Sequence, residues 1–179
     1  MSKEPEGRVS SRKSGEGAVA PNELDLISHS LEQTQRIGAR LAAFVQAGDV
    51  LLLEGQLGAG KTAFTQGVAA GLGINDYVNS PTFVIISEYP TGRLPLYHID
   101  LYRFDDPRQA IAIGLEDYLP EPEGVTVVEW PERAMDFMPP DHLRVRIAYL
   151  SDSKRTIRLH AEGGSHLELL NAFKQENFA

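Results

Sequence analysis

The segment Gly55-Gln56-Leu57-Gly58-Ala59-Gly60-Lys61-Thr62 constrains this chain more than any other. It fits the pattern G-x-x-x-x-G-K-[ST], a phosphate-binding loop that works only between a β-strand and an α-helix. The flanks supply both. Asp49–Glu54 is a short apolar run of strand length, and Lys61–Leu72 reads as a helix. Glycines let the backbone curl so that several N–H groups point inward at phosphate oxygens. The helix behind them adds the positive end of its dipole. Lys61 reaches the β- and γ-phosphates as a point charge, and the Thr62 hydroxyl suits Mg2+. The expected fold class is α/β: a P-loop NTPase-like mixed, mostly parallel sheet flanked by helices, with antiparallel hairpins.

Residues 1–22 are rich in Ser, Gly, Glu, Lys and Arg and sparse in apolar side chains, so a disordered tail is expected there. Residues 23–179 are expected to form one P-loop ATPase domain. Glu23–Ile27 reads as a short strand. Ser30-Leu31-Glu32-Gln33 has the form of a capping box opening a helix. Leu31, Thr34, Ile37, Leu41 and Phe44 or Val45 share one face of it, and Gly48 is expected to end it. Beyond the loop helix, Phe83–Tyr89 and Leu94–Asp100 read as two antiparallel strands around a turn at 90–93. Asp106-Pro107 opens a short helix. Val125–Glu129 is a buried-type strand, and Pro131–Met138 reads as a short helix. Leu143–Ile147 and Thr156–His160 alternate apolar with polar, as in a hairpin with one wet face. A final helix is expected over residues 165–177.

Further candidates for chemistry sit at strand ends. Glu129 occupies the place of a Walker B acid, at the carboxyl end of a sheet strand near the loop. It is a candidate to hold Mg2+ or orient an attacking water. Asp100 ends a strand in His98-Ile99-Asp100-Leu101-Tyr102-Arg103 and is a second candidate for placing Mg2+ or polarising water. His98 reads first as a packed or surface histidine. Arg103 either offsets transition-state charge or pairs with an acid. Thr82 has two readings, a switch threonine approaching the γ-phosphate and a turn residue entering a strand. Trp130, the only tryptophan, reads by default as core packing. No N-K-x-D follows a later strand, so ATP is favoured over GTP, and no His pair has zinc-site spacing.

Composition excludes other classes. A net charge of −8 argues against this chain itself gripping RNA or DNA. No apolar stretch approaches the roughly 20 residues of a membrane span. The absence of cysteine removes disulfides and thiolate metal sites and fits a reducing cytoplasm. The acids among the bases of the first residues argue against a mitochondrial address.

Four fragments line up in order: Gly55–Thr62, Ser80-Pro81-Thr82-Phe83, His98–Arg103 and Glu129-Trp130-Pro131. Together they resemble the TsaE (YjeE) family of small bacterial P-loop ATPases, across roughly residues 25–160. The resemblance implies a role in making tRNA N6-threonylcarbamoyladenosine. In that family the protein binds the TsaD–TsaB heterodimer and hydrolyses ATP to support turnover, meeting tRNA only indirectly and neither DNA nor membrane. Carried over by position, the ATP-binding set is Gly55, Leu57, Gly58, Ala59, Gly60, Lys61, Thr62, Thr82, Trp130 and Arg155. The catalytic set is Lys61, Asp100 and Glu129, with Thr62 and Glu129 on Mg2+. Asp100 and Thr82 are then switch-like residues, and Trp130 borders the site. Gln56 stands where the family usually has Asp or Glu, and Ala63 where a second Thr is common. Two other functions use the same loop: a small-molecule kinase and a nucleotide-gated binding module.

Overall fold

The computed structural model describes residues 20–120 and 123–178. The expected tail lies outside the described residues as far as position 19. The elements run β1 (Glu23–Ser28), α1 (Leu31–Leu41), β2 (Val50–Glu54), α2 (Lys61–Gly71), β3 (Ile86–Tyr89), β4 (Leu96–Asp100), α3 (Gln109–Ala112), β5 (Val125–Glu129), β6 (His142–Tyr149), β7 (Arg155–Glu162) and α4 (Gly164–Phe178). The strands form one seven-stranded sheet in the order β1-β7-β6-β2-β5-β4-β3. The centre is parallel: β2 pairs in parallel with β5 and β6, and β5 with β4. Antiparallel pairs, β3 with β4 at one edge and β7 with β6 and β1 at the other, complete it.

The central strands are apolar because both their faces are covered. Alternation then sends Leu51 and Leu53 of β2 to one layer and Val50 and Leu52 to the other. The first layer is built by Ile37 and Leu41 of α1, Phe64 and Val68 of α2, and Leu169, Leu170 and Phe173 of α4. The second is thinner, with Ala110 of α3, Leu115 and Ala134 beneath Val50, Leu52, Ile99 and Val128. Helices α1 and α2 cross closely because glycines face each contact. A Cβ on Gly38 would strike the Phe64 carbonyl, and one on Gly67 the Gln35 carbonyl. This crossing fixes the angle at which α2 leaves the loop.

Several expected boundaries move. Helix α1 ends at Leu41 rather than running to Gly48, and Arg93 from the β3–β4 turn donates to the carbonyls of Ala42 and Val45 just beyond it. Ser30 is the N-cap as expected, its Oγ accepting from Gln33 N, while the reciprocal bond falls one residue earlier, with Gln33 Oε1 accepting from His29 N. Leu31, placed on the core face by periodicity, is 58% exposed. The strand expected over Phe83–Tyr89 begins only at Ile86. Phe83 and Val84 are exposed, and Ile85 has φ +71°, which no strand tolerates. The next strand starts at Leu96, and Pro131–Phe137 is a 3-10 turn kinked at Ala134. The hairpin β6–β7 forms with one buried and one wet face. Among the described residues no helix is long and apolar enough to cross a membrane.

Candidate active site

The loop between β2 and α2 stands at the carboxyl ends of the parallel strands, where open α/β sheets place their ligands. Gly58 has φ +77°, and a side chain there would also meet the Tyr149 hydroxyl. Gly60 has φ +118° and serves as the N-cap of α2, a conformation that favours glycine. With no side-chain cap and no acid in the first turn of α2, the first amides of that helix stay available to an anion.

A cleft of about 450 Å³ opens over this loop. Leu57, Gly58, Gly60, Lys61 and Thr62 line one side; Thr82, Asp100, Glu129 and Trp130 line the other. The strand register explains the convergence. Asp100 of β4 and Glu129 of β5 are paired neighbours at the ends of parallel strands, and β5 also pairs with the loop-bearing β2. Thr62 Oγ1 donates to Glu129 Oε1 at 3.1 Å. Lys61 Nζ donates to the carbonyls of Gly55 at 2.6 Å and Gln56 at 3.0 Å. It also sits 4.2 Å from the centre of the Trp130 ring. Burial lowers the Lys61 ammonium below the ordinary lysine range, and the carboxylates of Glu129, Asp100 and Glu132 oppose that shift.

Asp100 is nearly fully buried and its carboxylate is engaged by three donors. Oδ2 accepts from Ser80 Oγ and Thr82 Oγ1, each at 2.8 Å, and Oδ1 accepts from Tyr102 N at 2.9 Å. Asp100 therefore latches the 80–85 loop onto the sheet end.

The remaining candidates are placed as follows. Gly55 and Ala59 belong to the loop but do not line the main cleft. Arg155 lines an adjoining hollow with Leu31, Gly58, Ala59 and Gly60. Its Nε donates to the Ala59 carbonyl at 3.0 Å, and its guanidinium stacks on Tyr149. Trp130 is half-buried and packs against the second core layer, as its default reading has it, but it also lines the cleft. At φ +59° just past β5, it turns its ring into the cleft against Tyr102, 5.0 Å between centres. Arg103 pairs with no acid among the described residues; it stacks on Phe83 at 4.1 Å. Gln56 is exposed, with its carbonyl toward Lys61, and Ala63 lines the cleft.

Sequence reasoning left Ser80, Tyr102, Gln66 and Leu31 out of the site, though all line the cleft. It also read His98 first as a packed or surface histidine. His98 is fully buried, with Nε2 2.8 Å from Glu129 Oε1. The signal was present in the two-residue spacing of His98 and Asp100, which puts both on one strand face.

A strand, a glycine loop, a helix and a strand-end carboxylate meeting the loop hydroxyl define the P-loop class of α/β folds. Within that class the chain belongs to the TsaE family: the model for threonylcarbamoyl adenosine biosynthesis protein TsaE matches residues 28–157. A Bacillus subtilis relative named tRNA threonylcarbamoyladenosine biosynthesis protein TsaE is 47% identical over 75% of this chain and 84% of its own. A Nostoc relative of the same name is 42% identical over 69% of this chain and 77% of its own. The crystal structure of Bacillus subtilis YdiB superposes with a TM-score of 0.77 at 39% identity, covering 87% of this chain and 96% of that one.

Proposed function

We propose that this protein binds ATP with Mg2+ and hydrolyses it as the ATPase component of tRNA N6-threonylcarbamoyladenosine biosynthesis. It acts in the cytoplasm with the TsaD–TsaB heterodimer and meets tRNA only through that partner. The observation that carries the reading is the contact between Thr62 of the loop and Glu129 of β5, at 3.1 Å beside Lys61. Family membership supports the pathway.

The donor set fits the group. Among the described residues no cluster of three or more His, Cys, Asp or Glu makes a metal cage. Thr62 and Glu129 instead offer one hydroxyl and one carboxylate, the hard-oxygen minimum that Mg2+ takes when phosphates and water complete its shell. When bound, Mg2+ supplies charge neutralisation on the phosphate oxygens. The loop amides and the α2 N-terminus bind the phosphates, Lys61 adds a directed positive charge, and Trp130 with Tyr102 walls the site. Asp100 holds Ser80 and Thr82 at the mouth, and Glu129 orients the attacking water.

Lys61 is the only cation lining the cleft among the described residues. A transition-state cation contributes about 10³–10⁵ in rate in related systems, so hydrolysis by the isolated chain is slow and accelerates with the partner. The same lack of arginine weighs against a kinase with a basic lid. Calorimetry with Mg-ATP and turnover with and without the heterodimer test the reading. Heat of binding and partner-stimulated hydrolysis are expected. No heat, or fast hydrolysis unchanged by the partner, overturns it. Glu129→Ala is expected to bind ATP yet allow at most one round of modification; many rounds would favour a nucleotide-gated module.

A further inference from the structure

His98 lies midway along β4 with no exposed surface, in a layer otherwise built mainly from aliphatic side chains. Its Nε2 is 2.8 Å from Oε1 of Glu129. A carboxylate only accepts, so Nε2 carries the proton and donates. The second ring nitrogen, Nδ1, is buried with no hydrogen-bond partner among the described residues. A buried ring that satisfies one nitrogen of two is a poor choice for packing, where an aliphatic side chain fills the space without an orphaned acceptor. The side-chain bond from His98 to Glu129 is directed at the cleft.

The register shows how it gets there. His98 pairs with Val127 and Asp100 with Glu129 across parallel strands. His98 therefore lies one pleat repeat below Glu129 on the same face and reaches it diagonally. From the other side, Thr62 Oγ1 donates to the same oxygen at 3.1 Å. Two donors on Oε1, one from the sheet and one from the loop, fix the rotation of the carboxylate. No described residue donates to Oε2.

We propose that His98 is a positioning residue: its Nε2–H and the Thr62 hydroxyl together pin Oε1 of Glu129, so that Oε2 faces the cleft. The role rests on the reading of Glu129 as the acid of a Mg-nucleotide site. It makes the strand β4 histidine, and not Glu129 and Thr62 alone, part of what places the cation and the water.

Two measurements on the full chain test it. Long-range proton–nitrogen NMR of the nucleotide-free protein is expected to show His98 as the Nε2–H tautomer, with a slowly exchanging proton that loses protection in Glu129→Ala. A proton on Nδ1 and a bare Nε2 would overturn the proposal. In the second measurement, His98→Leu and His98→Gln are compared in Mg2+ titrations of ATP hydrolysis with the heterodimer. His98→Leu is expected to lose about 10- to 100-fold in Mg2+ half-saturation or kcat, with affinity for Mg-free ATP unchanged. His98→Gln, whose amide N–H lies near the place of Nε2, is expected to recover to within about threefold. A parent-like His98→Leu overturns the role, as does a His98→Gln equally impaired at an unchanged unfolding midpoint. A parent chain that binds no Mg-ATP defeats the ATPase reading instead, and the tautomer still decides whether His98 holds Glu129.

Discussion

Replacing Lys61 with Met removes a charge while keeping an unbranched apolar stem. Lys61 is 4% exposed, with its ammonium against two loop carbonyls and the Trp130 ring. No other cation lines the cleft among the described residues, while Asp100 and Glu129 both do. A charge-assisted hydrogen bond to phosphate contributes about 1.5–3 kcal/mol, which converts to roughly 10- to 150-fold in Kd. The two acids, no longer offset, push the same way, so this range is a floor. Stability moves differently. The folded pKa of Lys61 is depressed below 10.5, chiefly by burial, so the charged form is disfavoured in the fold. That penalty is fully present below the folded pKa and is relieved as pH rises toward the unfolded value. The neutral variant is therefore expected to keep or raise the urea midpoint at pH 7, separating lost binding from lost fold. Calorimetric titration with Mg-ATP reads the affinity. In the parent, Trp130, the only tryptophan, reports the same event by fluorescence because Lys61 sits against its ring. A Lys61→Met protein that binds Mg-ATP within about threefold of the parent would refute the assignment of Lys61 to the phosphates.

Other perturbations reach the scaffold and the latch. Asp141 is held well below the ordinary carboxylate range: burial raises it, but hydrogen bonds from His166 and Ser165 outweigh that. Its contribution is present above the unfolded value of 3.8 and is lost as pH falls through the folded one. Asp141→Asn is expected to cost on the order of 1 kcal/mol at pH 7, discounted for exposure, with the deficit shrinking in acid. Urea midpoints measured against pH check this, and a pH-independent deficit would contradict it. Gly67→Ala forces a methyl group onto the Gln35 carbonyl at the α1–α2 crossing. Overpacking of about 1–3 kcal/mol is expected to exceed the roughly 1 kcal/mol gained in helix propensity, giving a lower melting temperature. Asp100→Ala frees Ser80 and Thr82. Hydrogen exchange at the Val84 and Ile85 amides, both bonded to the Pro81 carbonyl, is expected to rise at least about tenfold, equivalent to 1.4 kcal/mol, while exchange within β2 stays as in the parent.

The local grammar of this chain was legible in one dimension. A glycine pattern with a lysine and a threonine, an apolar run before it and a helical run after it, specified a strand–loop–helix. Val125–Glu129 read as a buried strand because both its faces are covered, and the β6–β7 hairpin read from alternation because one face is wet. Those signals are properties of neighbouring residues. Three things were not. Phe83 and Val84 have strand propensity, yet Ser80 and Thr82 are tied to Asp100 and Ile85 turns to positive φ, so tertiary anchoring overrides the preference. Leu31 lies on the apolar stripe of α1, but it is exposed and lines the cleft together with Gly58 and Gly60 of the loop. His98 read as a packed or surface histidine and Trp130 as a packing residue. Strand order and register brought the imidazole against Glu129, and a left-handed turn after β5 swung the indole over Lys61. Sequence determines which chemical groups are available and the periodicity on which they ride. Which groups meet depends on the pairing of strands 29 or more residues apart, a long-range choice made by the packing of the whole sheet.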